Sequence, residues 1–307
     1  MSLAVQGEQC PTSRGGDMTD AAATRLPDFV VIGAMKAGTT TVFRWLAEHP
    51  DCDLPDVKEP HFFSLDTEYA QGLASYARVF DGVTDDRLTG EASASYADPR
   101  IAETVAERMH EALPRVRLVY LVRHPEQRLK SHYLHRWRRS RERQPLHEAL
   151  AAPTNPYVAL SSYASALVPF VQRYGTEAVL LVRLDDLAHP DAPGWRRLTD
   201  FLGLAPVPGP GRRHNETATK VAFTPALLRW WEAGRLGPLK RLPPPVRNAA
   251  RAVLRGPTGQ LRGLEAQVRD LVVSQDVRDE LTRQWEDVHT LVGDIAPPLR
   301  WTGEASA

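Results

Sequence analysis

The sequence predicts one α/β domain: a central parallel β-sheet flanked by helices. Three observations point there. Short apolar runs rich in β-branched residues, at 29–32, 116–122 and 178–182, read as buried strands of a parallel sheet. Helical spacing follows each run, the alternation from which α/β sheets are built. The first run also enters a glycine turn, Gly33 to Gly38, that opens directly into a helical stretch at Thr39. With 307 residues, 42% apolar and 25% charged, the chain is long enough for such a domain and its core.

Residues 1–26 are polar and aperiodic, so a disordered extension is expected there, with the folded domain over 27–303. In the strand–turn–helix that follows, Val42, Trp45 and Leu46 mark the helix face, and His49-Pro50 stops it. Free turn amides and the positive end of the helix dipole then point at one place, which makes an anion cradle. Lys36 adds a charge to it, and Thr39, Thr40 and Thr41 add hydroxyls. The turn lacks the Gly-Lys-Ser/Thr ending of a Walker A loop, because Lys36 precedes Gly38.

Two prolines exclude a helix from 54–63, where Lys58, Glu59 and His61 precede Phe62 and Phe63: polar chemistry beside a dry wall. A helix is expected over 68–80 from the spacing of Tyr69, Leu73, Tyr76 and Phe80, as core packing. A short strand runs into small polar residues at 88–96, and a helix covers 101–113. The strand at 116–122 ends in Arg123, and Pro125 opens the next helix. On that helix Arg128 and Ser131 share a face. An arginine at a strand end with a serine eight positions later suits a bound phosphate. Helices are expected over 161–174, 194–204 and around Leu281, Trp285, Val288 and Leu291. The arginines of 136–143 suit either an anionic acceptor or a solvated helix end. Residues 234–263 form a Pro/Arg-rich insertion. Within it 246–255 has basic amphipathic spacing, suited to peripheral contact with an anionic membrane or glycan surface, or to a solvated arginine stripe.

Lys36-x-Gly38-Thr39-Thr40 after a strand resembles the 5′-phosphosulfate loop of sulfotransferases that use 3′-phosphoadenosine 5′-phosphosulfate (PAPS). Arg123-x-Pro125-x-x-Arg128-x-x-Ser131-x-Tyr133 resembles the same family's 3′-phosphate motif, with His124 in place of the common aspartate. Lys58-Glu59-x-His61-Phe62-Phe63 looks like the segment that supplies the catalytic glutamate in heparan-sulfate-type members. The match covers most of 28–133. It implies a P-loop-like sulfotransferase fold, PAPS as co-substrate and adenosine 3′,5′-bisphosphate (PAP) as product. It implies that Lys36, Ala37, Gly38, Thr39, Thr40 and Thr41 hold the phosphosulfate and that Arg123 and Ser131 hold the 3′-phosphate. Arg212 and Arg213 would belong to a basic loop over the nucleotide. Glu59 would be the general base, its pKa raised by partial desolvation, with His61 beside it and Lys36 as the catalytic cation. Relatives acting on heparan sulfate carry Glu-Lys-x-Pro-x-Tyr where this chain has Glu91-Ala92-Ser93-Ala94-Ser95-Tyr96, so the lysine and the proline are missing.

Zero net charge argues against nucleic acid as a partner. Two cysteines, Cys10 and Cys52, form no disulfide framework and suit a reducing cytoplasm, and no secretory or membrane-spanning segment is evident. No metal-ligand cluster is evident, and metal-free transfer is expected. The expected acceptor is a hydroxyl, less readily an amine, of a saccharide, glycolipid or secondary metabolite, and the expected enzyme is a soluble bacterial one. A P-loop nucleotide kinase or NTPase is the competing enzyme, and a non-catalytic nucleotide- or RNA-binding module is a third reading.

Overall fold

The computed structural model describes residues 25–139, 141–152, 155–187, 192–209, 258–293 and 299. Four strands, β1 (Phe29–Gly33), β2 (Gly90–Ala92), β3 (Arg117–Val122) and β4 (Val179–Arg183), form a parallel sheet in the order β2-β1-β3-β4. Phe29 lies opposite Gly90 on one side and Arg117 on the other, and Leu118 lies opposite Val179. Every residue of β1 and all but Arg117 of β3 are buried, which explains why these strands read as unbroken apolar runs.

Helices fill the crossovers: α1 (Thr39–Ala47), α2 (Asp66–Tyr69), α3 (Leu73–Ala77), α4 (Ala102–Ala112), α5 (Pro125–Arg138), α6 (Leu146–Ala151), α7 (Pro156–Ala159), α8 (Tyr163–Tyr174) and α9 (Pro193–Leu202). Two more follow, α10 (Thr258–Asp270) and α11 (Gln275–Val292). The main core runs from Phe29 to Val288, with α4 packed on α8 and α8 on α11. A smaller apolar cluster ties α5, α6 and α7 to α10 and α11 through Leu129, Tyr133, Leu146, Tyr157, Val268 and Leu281.

The expected helix over 68–80 is not continuous. Gly72, with φ 79°, separates α2 from α3, and a 3₁₀ turn at Arg78–Phe80 finishes the segment. Tyr76 and Phe80 are buried as expected, whereas Leu73 is exposed. Pro125 does open α5. Gly203, with φ 72°, ends α9, where Arg117 Nη1 donates to the carbonyls of Phe201 and Leu202. Residues 1–24, most of the 234–263 insertion with its 246–255 stretch, and Trp301 lie outside the described residues; only 258–263 of that insertion are described, as the start of α10.

β2 is an edge strand, and the chain between α1 and α2 covers its outer side. Asp53 N donates to Leu88 O, Leu88 N to Asp51 O and Glu59 N to Ala92 O. An unpaired strand edge is thereby closed from within the chain. The same bonds deliver the Glu59 segment to the carboxyl end of β2.

Candidate active site

All four strands point the same way, so their carboxyl ends share one edge of the sheet, where open α/β sheets bind ligands. The turn after β1, Arg123 after β3 and the Glu59 segment beside the end of β2 meet along that edge, with β1 in the middle.

The turn after β1 is built by two left-handed residues, Lys36 with φ 73° and Gly38 with φ 101°. A side chain at Gly38 would put its Cβ 2.6 Å from Leu184 Cδ1, a leucine tip that would have to move, but it is the positive φ that chiefly favours glycine here. Gly38 is the N-cap of α1. It offers no capping side chain, and the first turn of α1 carries no acidic residue; the amides of Thr41 and Val42 donate to Gly38 O, so the place for an external acceptor is at the amides ahead of Thr41. Ala37 is fully buried, Thr39 and Thr41 are buried, and Lys36 and Thr40 are half-buried.

Arg123 sits half-buried at the end of β3, its Nε donating to Gln127 Oε1 at 3.1 Å. Its backbone is clasped by the Tyr163 hydroxyl, which donates to Arg123 O at 2.8 Å. Ser131 is buried two turns into α5. Between them Arg128, fully buried, donates to Met35 O, Tyr157 O and Ser161 Oγ, all at 3.0 Å, and its Nη2 lies 3.2 Å from His132 Nδ1. The turn after β1 and helix α5 are thus fastened to each other from behind. Burial lowers the Arg128 pKa to about 10. Burial and the charge of Arg128 hold His132 far below its usual range, so it is neutral. The arginines of 136–143 are largely tied into the fold: Arg138 pairs with Glu265, Arg136 donates to Arg141 O, and Arg143 lies over the Trp137 ring. Arg212 and Arg213 lie outside the described residues.

Glu59 has φ 62° and His61 φ 56°. Together with Lys36 they make up the non-glycine residues of positive φ among the described residues. Backbone held in this sparsely populated region tends to gather at functional sites. Lys58 Nζ donates to Glu59 Oε1 at 2.6 Å, and His61 Nε2 lies 3.8 Å from Glu59 Oε2. His61 Nδ1 lies 2.8 Å from Ser95 Oγ, which is 2.8 Å from Ser64 Oγ. Phe62 and Phe63 do not line the site as a dry wall. They are buried against Tyr69, Tyr76 and Tyr96 and anchor the segment in the core.

The expected desolvated carboxylate is not Glu59, whose side chain is 41% exposed. It is Glu91 in β2, which is fully buried. Desolvation pushes its pKa up to about 7, against the hydrogen bonds that Ser93 and Tyr76 donate to it. Glu91 matches the glutamate of the relatives' Glu-Lys-x-Pro-x-Tyr segment, but nothing in the local sequence marks it as buried: it lies between Gly90 and Ala92 in a strand too short to show a period. Among the described residues no group of three or more His, Cys, Asp or Glu is arranged to hold a metal, and no helix is long and apolar enough to cross a membrane.

A model of the sulfotransferase domain family matches residues 26–221. Heparan sulfate glucosamine 3-O-sulfotransferase 3A1 of Mus musculus is 29% identical over 196 residues, which is 61% of this chain and 48% of that protein. Heparan sulfate glucosamine 3-O-sulfotransferase 6 of Homo sapiens is 30% identical over 191 residues, 60% of this chain and 54% of that protein. The chain therefore spans about half the length of these curated relatives. Among solved structures, a sulfotransferase from Alicyclobacillus acidocaldarius superposes with a TM-score of 0.54 at 27% identity, covering 70% of this chain and 92% of that one.

Proposed function

The chain belongs to the sulfotransferase domain family, and on that footing we propose that it transfers a sulfuryl group from PAPS to a hydroxyl of a saccharide, glycolipid or secondary metabolite. The observation that supports this reading best is the pairing of two anion-binding features on neighbouring strand ends. One is the open amide cradle after β1; the other is Arg123 after β3. A donor with phosphates at both ends of one nucleoside matches that pairing. The uncapped α1, with no acid in its first turn, fits the phosphosulfate end.

In this reading Lys36, the amides through Gly38 and the hydroxyls of Thr39, Thr40 and Thr41 hold the phosphosulfate. Arg123 and Ser131 hold the 3′-phosphate, with Arg212 and Arg213 assigned to the nucleotide's outer side. The acceptor oxygen forms the new O–S bond as its proton passes to Glu59. The bond from sulfur to the bridging phosphate oxygen breaks, and PAP leaves. Lys36 and the N-terminus of α1 stabilise the charge that grows on that oxygen. His61, within 4 Å of Glu59, positions the base. Exposure of Glu59 leaves room for an acceptor to cover it, and covering raises a carboxylate's basicity when a proton must be taken. No step calls for a metal. The similarity to 3-O-sulfotransferases of heparan sulfate glucosamine supports a saccharide hydroxyl as the first acceptor to try.

The test is incubation with sulfur-labelled PAPS and N-sulfated heparan oligosaccharides, alongside an extract of the source cells. Label should enter a saccharide or extract component without added metal. Lys36→Ala should slow the transfer by on the order of a hundredfold, the usual worth of one preorganised donor, and Glu59→Gln should remove it. Transfer from magnesium-ATP with none from PAPS would hand the assignment to the nucleotide kinase reading.

A further inference from the structure

The buried carboxyl of Glu91 has no part in the chemistry above, yet it lies directly beneath the segment that carries Glu59 and His61. Ser93 Oγ donates to Glu91 Oε2 at 2.8 Å and accepts the His61 backbone N–H at 3.3 Å. Two residues earlier, Glu59 N donates to Ala92 O at 3.2 Å. The other carboxyl oxygen of Glu91 accepts from the Tyr76 hydroxyl at 3.2 Å. Tyr76 in turn stacks on Phe62, the residue that follows His61, with ring centroids 4.8 Å apart. Glu91 therefore grips the segment at two points, through Ser93 to the amide of His61 and through Tyr76 to Phe62.

The grip answers a need. Glu59 and His61 both stand at positive φ, a conformation that L-residues keep only when their surroundings over-determine it. Their backbone is held here by the carbonyl of Ala92 and the hydroxyl of Ser93, and that hydroxyl is aimed by Glu91. We propose that Glu91 is a positioning residue for sulfuryl transfer: through Ser93 and Tyr76 it holds the Glu59–His61 backbone in the strained form that presents the base to the acceptor. The groups facing the carboxyl are Tyr76 of α3, Ser93 and Tyr96 beyond β2, and the ammonium of Lys58. Either ionisation state keeps one oxygen available to the Ser93 hydroxyl, so the grip is a matter of shape and hydrogen bonding. Glutamine can reproduce it, with its oxygen toward Ser93 and its amide nitrogen toward Tyr76; leucine cannot.

Its role in transfer rests on the reading of Glu59 as the base, whereas the holding of the segment does not. The experiment therefore reads both. In the full chain, Glu91→Leu, Glu91→Gln, Ser93→Ala and the Glu91→Leu/Ser93→Ala double variant are compared by amide exchange across 58–64, by PAP affinity and by transfer to N-sulfated heparan oligosaccharide. Glu91→Leu and Ser93→Ala should each speed exchange across 58–64 at least tenfold. Each should lower kcat at least tenfold, with PAP affinity and the KM for PAPS within about twofold of the parent. The double variant should be little worse than Glu91→Leu, because Ser93 carries part of the same restraint, and Glu91→Gln should recover at least a third of the parental kcat. Unchanged exchange across 58–64 in Ser93→Ala overturns the proposal, and that variant decides the matter alone if Glu91→Leu does not fold. Losses that multiply in the double variant overturn it too. Faster exchange without any transfer by the parent chain would instead uphold the restraint and sink the reading of the reaction.

Discussion

Glu59 and His61 are an uncomfortable pair of residues to find at φ 62° and 56°, since a side chain in that region costs about 1 kcal/mol or more relative to glycine. Glu59 gains little in return: its side chain is exposed to solvent over two-fifths of its area (41%), and its ion pair with Lys58 is of the surface kind that contributes at most about 1 kcal/mol. Stability and activity should therefore separate at this position. Glu59→Gly is expected to leave the chain as stable or to raise its unfolding free energy by roughly 0.5–1 kcal/mol in urea, while abolishing transfer. A substantial loss of stability in that variant would mean that the backbone at 59 is not strained. Glu91 shows the opposite character. Its pKa rises from 4.5 to about 7, so folding takes up a proton between those values. The stabilisation that follows is complete below about pH 4.5, is lost as pH rises from there through 7, and is gone above it, on the order of 3 kcal/mol in all. Glu91→Gln does not titrate. The stability of the parent relative to that variant should fall as pH goes from 5 to 8, and urea titrations at a series of pH values check it.

Helix α5 and the turn after β1 behave as one unit because of Arg128. Its guanidinium satisfies the carbonyl of Met35 on the turn, the carbonyl of Tyr157 on α7 and the hydroxyl of Ser161 before α8. Its hydrogen-bond partners are neutral groups, and the charge of Asp98 adds a favourable interaction without a direct ion pair among the described residues. Methionine has a similar length but takes the Arg128 donor from the carbonyl of Met35, whereas the carbonyl of Tyr157 keeps the Ser161 hydroxyl; a buried carbonyl left without a donor costs about 1–3 kcal/mol. Arg128→Met is expected to destabilise the chain by about 2 kcal/mol and to weaken PAP binding through the turn. Arg128→Lys should recover only part of either, since one ammonium cannot span the same fork. Calorimetric titration with PAP and urea unfolding would show it. Affinity unchanged in Arg128→Met would mean that the turn holds its shape without α5.

Across the whole molecule, a PAP-sized ligand would bridge elements far apart in the chain, the turn after β1 and the end of β3, and should stabilise the fold globally. At a hundredfold excess over its dissociation constant the gain is about 2.7 kcal/mol. In a domain of this size that raises Tm by roughly 4–6 °C. ATP at the same concentration should raise it much less, and equal shifts would point to a site with no preference for the 3′-phosphate. At this scale the contribution of sequence and of packing can be told apart. The parallel strands, the helix that Pro125 opens and the loops bearing Lys36, Glu59 and Arg123 were all legible in the sequence, because apolar period, proline and glycine act within a few residues of themselves. The break at Gly72 was not, since the spacing of Tyr69, Leu73, Tyr76 and Phe80 suits one helix and only packing showed it to be two. Nor could the sequence show that Phe62 and Phe63 anchor their segment, that Glu59 stays exposed, or that the carboxyl shut away is Glu91. Arg128 meets Met35 across 93 residues of chain, and the amide of His61 meets Ser93 across 32. Burial and hydrogen-bond partnership belong to neighbours that only the closed sheet brings together, and it is the sheet that decided which of these charged side chains face solvent and which hold the site from beneath.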